Sequence, residues 1–271
     1  MTAARCVHAQ LHLLDRQVVR AGDGRLLCKV DDLELLPGPD GRPYVASILA
    51  GPLALGPRLG GVPGRLTVAV TELFRSEERP GPRRIPMALV SEVGSAIRIG
   101  GETGDLALER WVRDHVIAPI PGSGETGAPE RAAWPPPGES AADARRLSAL
   151  LGRRVVDAAD EPAGRVADVR LSQDGPMLGE VQRAFRIEGL IVVPRRAGRL
   201  FGYERGPGGK APWLVNKLIR WLNRGGRFAT WEQIASLGDP GRGDGDGEPV
   251  RLAVPAEELA PLDELYERAP G

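Results

Sequence analysis

The chain has 271 residues, with 36 basic and 36 acidic side chains and a formal net charge of zero. This length is enough for two ordinary domains and a connector, and the charge balance excludes a global attraction to nucleic acid or membrane surfaces. Two cysteines, Cys6 and Cys28, cannot form a disulfide framework, which points to a reducing compartment. We expect a cytoplasmic protein, because no stretch has the roughly 18 apolar residues of a membrane span and the N-terminus lacks a signal-peptide pattern.

Residues 119–146 divide the chain into two parts of similar length. Most of this stretch, PIPGSGETGAPERAAWPPPGES, is rich in Pro, Gly, Ser and Glu. Such a composition buries too little apolar surface to offset the entropy lost on ordering. We therefore predict a flexible linker between a first domain, residues 1–118, and a second domain, residues 147–271.

The two parts match each other position by position near their beginnings. LLDRQVV at residues 13–19 corresponds to LLGRRVV at residues 150–156. The further matches, with a one-residue gap after the second, pair Ala21, Asp23, Val30, Asp32 and Leu35 with Ala158, Asp160, Val166, Asp168 and Leu171. The same order of elements continues downstream, so we interpret the halves as two diverged copies of one unit.

Each copy continues as a series of short strands with one helical pattern. Strand-like runs occupy residues 44–50 and 185–193, and the Asp23-Gly24 and Asp40-Gly41 pairs are typical of tight turns. Helical patterns follow at residues 66–74, which fit a strand equally well, at 106–116 and, more regularly, at 213–224. Both copies then return through short strands that contain AIRI and PVRLAV. A small antiparallel barrel would leave few open strand edges in such a unit.

The pattern VVxAxD, then [GC]-[KR]-V-x-D-[LV]-x-L, then a strand and a return segment such as IASLG, resembles the PRC-barrel family. The next-strand motif is Gly164-Arg165-Val166 in the second half and Cys28-Lys29-Val30 in the first. The family includes the cytoplasmic domain of the photosynthetic reaction centre H subunit and the C-terminal domain of a ribosome maturation factor. The resemblance implies a mainly β chain of two small antiparallel barrels, each with a helical insertion. It also implies docking onto proteins and carries no common catalytic residues.

Motifs that would indicate a cofactor or a metal are weak. GSGETG at residues 122–127 fits a dinucleotide fingerprint but lies in the predicted linker, and GPGGKA ends in Ala211 instead of Ser or Thr. Asp244, Asp246 and Glu248 could bind calcium, yet the EF-hand spacing is absent, and a solvated acidic loop is the preferred interpretation. With three histidines and no Ser/His/Asp order, we expect neither an enzyme nor a bound cofactor or metal.

The strongest functional signal is a basic region at residues 183–228, with eleven basic side chains against two acidic ones. Within it, WLVNKLIRWLNR at 213–224 places apolar residues on one helical face and basic residues on the other. In one interpretation the apolar face covers the open end of the second barrel, and in the other the helix binds an anionic surface. The two interpretations are compatible. The partner-binding candidates are Arg195, Arg196, Arg199, Lys210, Lys217, Arg220 and Arg224.

These observations predict a non-catalytic cytoplasmic adaptor or scaffold that docks a protein partner through its barrel units. The alternative is a peripheral protein at the inner face of an anionic membrane, or an RNA- or ribosome-associated protein, that uses the same basic region. No feature of the sequence indicates a small-molecule substrate.

Overall fold

The computed structural model describes residues 5–59, 82–100, 144–178, 182–194, 225–239 and 247–262. Strands dominate these ranges, which confirms the expected mainly β fold, and their one α-helix is α1 (Pro52–Leu59). The strands of the first half are β1 (Cys6–His8), β2 (Gln17–Arg20), β3 (Leu26–Lys29), β4 (Asp32–Pro37), β5 (Pro43–Ala50), β6 (Arg83–Pro86), β7 (Val90–Val93) and β8 (Ile97–Ile99). Those of the second half are β9 (Arg145–Arg146), β10 (Arg154–Val156), β11 (Pro162–Ser172), β12 (Met177–Leu178), β13 (Gln182–Arg183), β14 (Arg186–Val193), β15 (Arg227–Thr230), β16 (Ile234–Ser236), β17 (Val250–Leu252) and β18 (Ala260–Pro261).

Local sequence accounts for the turns between the early strands. Gly24, between β2 and β3, has a φ of +69°, and Gly41, between β4 and β5, has a φ of +78°. The carboxylates of Asp23 and Asp40 accept backbone N–H groups two residues further on, at 3.0 and 3.2 Å. Both predicted turns are therefore confirmed, with glycine supplying the left-handed backbone and aspartate the side-chain bond.

The two halves follow the same path through space. In the first half β2 pairs antiparallel with β3 and parallel with β8, and in the second β10 pairs in the same two ways with β11 and β17. The strands β4, β5 and β6 correspond to the end of β11, β14 and β15. Matching backbone bonds join Asp15 N–H to Val30 O at 2.9 Å and Gly152 N–H to Val166 O at 2.7 Å. The repeat seen in the sequence is thus a repeat of backbone structure.

One twelve-stranded sheet contains strands from both halves. The halves meet where β5 and β14 begin, with Tyr44 opposite Arg186 in antiparallel register. The backbone N–H of Val45 donates to the carbonyl of Phe185 across this joint at 2.7 Å. Because equivalent strands meet antiparallel at equivalent ends, the halves are related by an approximate two-fold axis.

The leading strand of each half pairs with the other half. β1 runs antiparallel to β11, with Val7 opposite Leu171, while β9 runs antiparallel to β4, with Arg145 opposite Leu35. A short helical turn follows each leading strand, at Ala9–Leu13 and at Leu147–Ala149. We define the leading segments as residues 5–14 and 144–150. Their exchange between the halves is reciprocal.

The main hydrophobic cluster also combines the two halves, and its buried members include Leu13, Ile48, Phe185 and Leu190. A smaller cluster with Ile191 and Val193 lies on the opposite face of β14. Both faces of this strand are therefore covered, which explains its continuous apolar sequence.

The sheets are curled, but the described residues do not confirm two closed barrels. The twelve-stranded sheet and the main core contain residues of both halves, while β3, β2, β8 and β7 form a separate four-stranded sheet and β12 and β13 a two-stranded one. β9 also lies within the last residues assigned to the linker. The predicted helices at 66–74, 106–116 and 213–224, and linker residues 119–143, lie outside the described residues.

The exchange predicts a specific disulfide. Cys6 of β1 lies opposite Ser172 of β11, and opposed residues of antiparallel strands have Cα atoms about 4.5–5.5 Å apart, within the range that a disulfide spans. In a Cys28→Ser background, the Ser172→Cys variant should oxidise to a disulfide between Cys6 and the introduced thiol within one chain, seen by non-reducing electrophoresis and peptide mass mapping. Gln173→Cys is the matched control, because its side chain points to the other side of the strand. Crosslinks formed only between molecules would contradict the assigned register.

Candidate functional site

Two buried aspartates occupy equivalent positions where the leading segments arrive. Asp32 begins β4 and Asp168 lies within β11, and their side chains belong to the matched V-D-D-L and V-A-D-V sequences. Asp32 is 0% and Asp168 is 2% exposed to solvent. Each carboxylate accepts the N–H of the next residue, at 2.8 Å for Leu33 and 2.7 Å for Val169. This local bond fixes the side chain and leaves oxygen lone pairs for a second partner.

The second partner comes from the other half of the chain. Ser148, just after β9, donates its backbone N–H to Asp32 at 3.0 Å and its hydroxyl at 2.5 Å. Gln10, just after β1, donates its backbone N–H to Asp168 at 2.8 Å. We call these two sets of contacts the aspartate junctions. Because buried polar groups need hydrogen-bond partners, each aspartate requires the other half's leading segment.

Burial raises the pKa of both aspartates, and the neighbours decide by how much. Loss of hydration raises the pKa of Asp168 to about 7, with hydrogen bonds from Gln10, Val169 and Leu11 acting in the opposite direction. Burial likewise raises the pKa of Asp32, opposed by hydrogen bonds from Ser148 and Leu33 and by the positive charge of Arg146. Arg146 thus lowers the pKa of Asp32, whereas no cation is among the groups that set the pKa of Asp168.

His8 stands beside Asp168 at the second junction. Its Nδ1 lies 3.8 Å from the Asp168 carboxylate, and its backbone N–H donates to His12 Nδ1 at 2.9 Å. Burial, followed by the charges of His12 and Arg170, lowers the pKa of His8 to about 4. The lowered pKa of His8 and the raised pKa of Asp168 both favour the neutral forms of these two groups.

The acceptor residues beside the two junctions carry opposite charges, and each is paired within its own half. On β4, Glu34 faces Arg146 in register and bonds Arg84 at 2.9 Å. At the equivalent position of β11, Arg170 faces His8 and bonds Glu188 at 2.9 Å. Glu34 thus faces an arginine of the other half and Arg170 faces a histidine, so the two acceptor positions differ in charge.

A matched pair of arginines holds the return hairpins. Arg16 donates to the carbonyl of Ser95 at 2.9 Å, and its equivalent Arg153 donates to the carbonyl of Leu237 at 3.2 Å. Arg153 is itself buried. The repeated arginine of the LLxR motif therefore binds the loop between β7 and β8 in the first half and the loop between β16 and β17 in the second.

A chain of ion pairs crosses between the halves at the sheet joint. Arg186 of β14 contacts Asp174 at 2.7 Å and, from the first half, Asp40 at 2.5 Å. Arg42 of the first half in turn contacts Asp40 at 3.7 Å and Glu232 of the second half at 2.5 Å. The hydrogen bond from Arg186 holds the pKa of Asp174 below its usual value. This network adds a polar rim to the apolar joint.

The sequence-predicted binding residues and the aspartate junctions are different parts of the chain. All seven candidates lie outside the described residues: Arg195, Arg196, Arg199, Lys210, Lys217, Arg220 and Arg224. Two other members of the basic region are described and serve the fold. Arg186 joins the ion pairs above, and Arg227 donates to the carbonyl of Ala256 at 2.8 Å. The local excess of positive charge thus includes arginines that bind within the chain.

The acidic loop is described only at its base. The Glu248 N–H donates to the Asp239 carbonyl at 3.0 Å, and the Asp239 N–H donates to the Glu248 carboxylate at 3.3 Å. Asp244 and Asp246 lie outside the described residues. Within the ranges that the structure describes, no group of three or more His, Cys, Asp or Glu side chains is placed to hold a metal ion. The helices of those ranges include none that is long and apolar enough to cross a membrane.

Comparison of the chain with protein-family models and with curated proteins found no match in either set.

The raised pKa of Asp168 predicts a pH-dependent contribution to stability. The folded chain binds this proton more tightly than the unfolded chain between the ordinary pKa of 3.8 and the folded value of about 7. The contribution is therefore full below pH 3.8 and is lost as the pH rises through 7. Relative to Asp168→Asn, the wild-type free energy of unfolding should fall with pH in this window, by at most about 1.4 kcal/mol per pH unit.

Denaturant unfolding measured from pH 4 to pH 8 tests this dependence. His8 is present in both proteins, so the difference between their profiles reports the replacement of Asp168 together with its contact to His8. Asp160→Asn is the matched control, since it removes an exposed carboxylate of the same half that pairs with Arg251. Parallel profiles for wild type and Asp168→Asn would show that Asp168 is not perturbed by burial.

Proposed function

We propose that this chain is a non-catalytic cytoplasmic adaptor in which two PRC-barrel-like units act together as a docking platform for a protein partner. The observation that carries this proposal is the reciprocal exchange at the aspartate junctions. Asp32 and Asp168 each bind the backbone of the other half, so the units are held in one relative orientation. A rigid pair of units suits a scaffold, because a preorganised surface loses little entropy on binding.

The chemistry of the described residues is consistent with a structural role for their charged groups. The two aspartates bind backbone N–H groups of the other half, Arg153 binds loop carbonyls, and Arg186 binds carboxylates at the joint. These groups stabilise the fold by satisfying buried or partly buried polar atoms. The family resemblance points in the same direction, because it implies docking and carries no common catalytic residues.

The basic region of the second unit is the proposed contact surface, and the proposed partner is a protein with an acidic face. Its cations, Lys217 and Arg220 among them, alternate with an apolar face in the 213–224 pattern. Electrostatic complementarity of this kind speeds encounter and rejects partners of the wrong charge. Anionic lipid and RNA would be attracted by the same cations, so they are the competing ligands that an experiment must separate.

A charge-reversal experiment tests the contact surface. Lys217→Glu with Arg220→Glu should weaken capture of the partner at least about tenfold, a loss of about 1.4 kcal/mol of binding free energy. The matched control is Arg25→Glu with Lys29→Glu, which makes the same change in net charge at exposed positions of the first half. Capture from nuclease-treated lysate identifies the partner, and titration with the purified partner at low and at raised salt gives each affinity.

Three outcomes separate the possibilities. Loss of partner binding in the 217/220 variant alone supports the adaptor. Binding that requires RNA, or that moves to vesicles containing phosphatidylserine, favours the alternative of an RNA- or membrane-associated protein. Equal affinity in both variants would mean that these cations form only a solvated surface.

A further inference from the structure

We propose that the two halves of this chain are each other's specific binding partner, a heterodimer whose two subunits have been joined into one polypeptide. On this view the connection between residues 100 and 144 keeps the halves near each other but is not needed to hold them together. The proposal concerns the joint between the halves. It is independent of which external partner the chain binds.

The backbone contacts at the joint are those of a subunit interface. Each half contributes a leading segment to the sheet of the other, and the axis that relates the halves passes where β5 meets β14. Reciprocal exchange of equivalent elements about a two-fold axis is the pattern of a strand-exchanged dimer. The main core draws residues from both halves. A half alone would expose part of this apolar surface and leave a sheet edge unpaired.

Side chains outside the exchanged strands also cross the joint in a reciprocal way. Arg42, in the turn before β5, reaches Glu232 in the turn that follows β15. Gln182 of β13, in the equivalent connection of the second half, donates to the carbonyls of Met87 and Val90 at 2.8 and 2.5 Å. A side chain of each half therefore contacts the turn that follows β6 or its equivalent β15 in the other half. These polar contacts add specificity beyond apolar packing.

The two junctions favour pairing of unlike halves over pairing of like halves. Two copies of the second half would place Arg146 beside Arg170, because these residues occupy equivalent segment and acceptor positions. Two copies of the first half would place Gln10 where Ser148 now stands, because these residues donate the equivalent backbone bonds, and the hydroxyl bond to Asp32 would be lost. Like charges and missing hydrogen bonds are the usual means by which an interface rejects a wrong partner.

Cleavage of the folded full-length chain tests the proposal. A protease recognition sequence replaces residues 122–138, and the purified protein is cut and then diluted to about 1 µM. We expect the two fragments to remain in one complex with the mass of one copy of each, measured by native mass spectrometry and size-exclusion chromatography. Separate elution or precipitation of the fragments would overturn the proposal. Resistance of the folded chain to the protease would also overturn it, because the connection would then be part of the packed structure.

A second pair of variants tests the specificity of the joint. Arg146→Glu places an anion opposite Glu34, and the cut halves of this variant should dissociate at least about tenfold more readily than those of the wild type. The matched control Arg25→Glu makes the same charge change at an exposed site and should leave dissociation unchanged. The uncut Arg146→Glu chain should still fold, because the covalent connection keeps the halves at high effective concentration. Equal dissociation of the two cut variants, or homodimers of either fragment, would contradict selective pairing.

Discussion

The exchange of leading segments depends on two buried carboxylates that accept hydrogen bonds from the other half of the chain. Asp32 and Asp168 each use one bond locally, and the remaining acceptor capacity is met by backbone N–H groups of the other half. Leaving such a group without a partner costs on the order of 1–3 kcal/mol, a large fraction of the stability of a small domain. Each aspartate accepts one hydrogen bond from its own half and the others from the opposite half. The hydrogen bonding of both aspartates is therefore complete only when the leading segments cross.

Much of each half could be predicted from its sequence, because the information is local. The alternation and apolar runs of residues 44–50 and 185–193 predict β5 and β14, and the Asp-Gly pairs predict the turns. The exchange could not be predicted in this way. Val7 would fit beside either half by its apolar character, and only the three-dimensional arrangement pairs it with Leu171. A prediction made from each repeat separately therefore contains no information on how the two repeats pair.

The aspartates themselves were visible in the sequence as a matched pair, but their role was not. A carboxylate that is followed by an apolar residue in a strand, as Asp32 is by Leu33 and Asp168 by Val169, indicates a buried acceptor that needs a hydrogen-bond donor. That signal points to a structural bond as readily as to a reactive group. In the basic region the count of eleven basic residues includes Arg186 and Arg227, and both of these bind within the chain.

Reciprocal exchange also constrains how the protein is made. Gln10 bonds Asp168 across a separation of 158 residues in the chain. A ribosome adds about 5–20 residues per second, so the first half emerges many seconds before its acceptor strand exists. During that time β4 has an open edge and the leading apolar residues have no sheet to join. Until the second half is synthesised, this open edge and the unpaired apolar residues are surfaces of the kind through which incomplete chains associate.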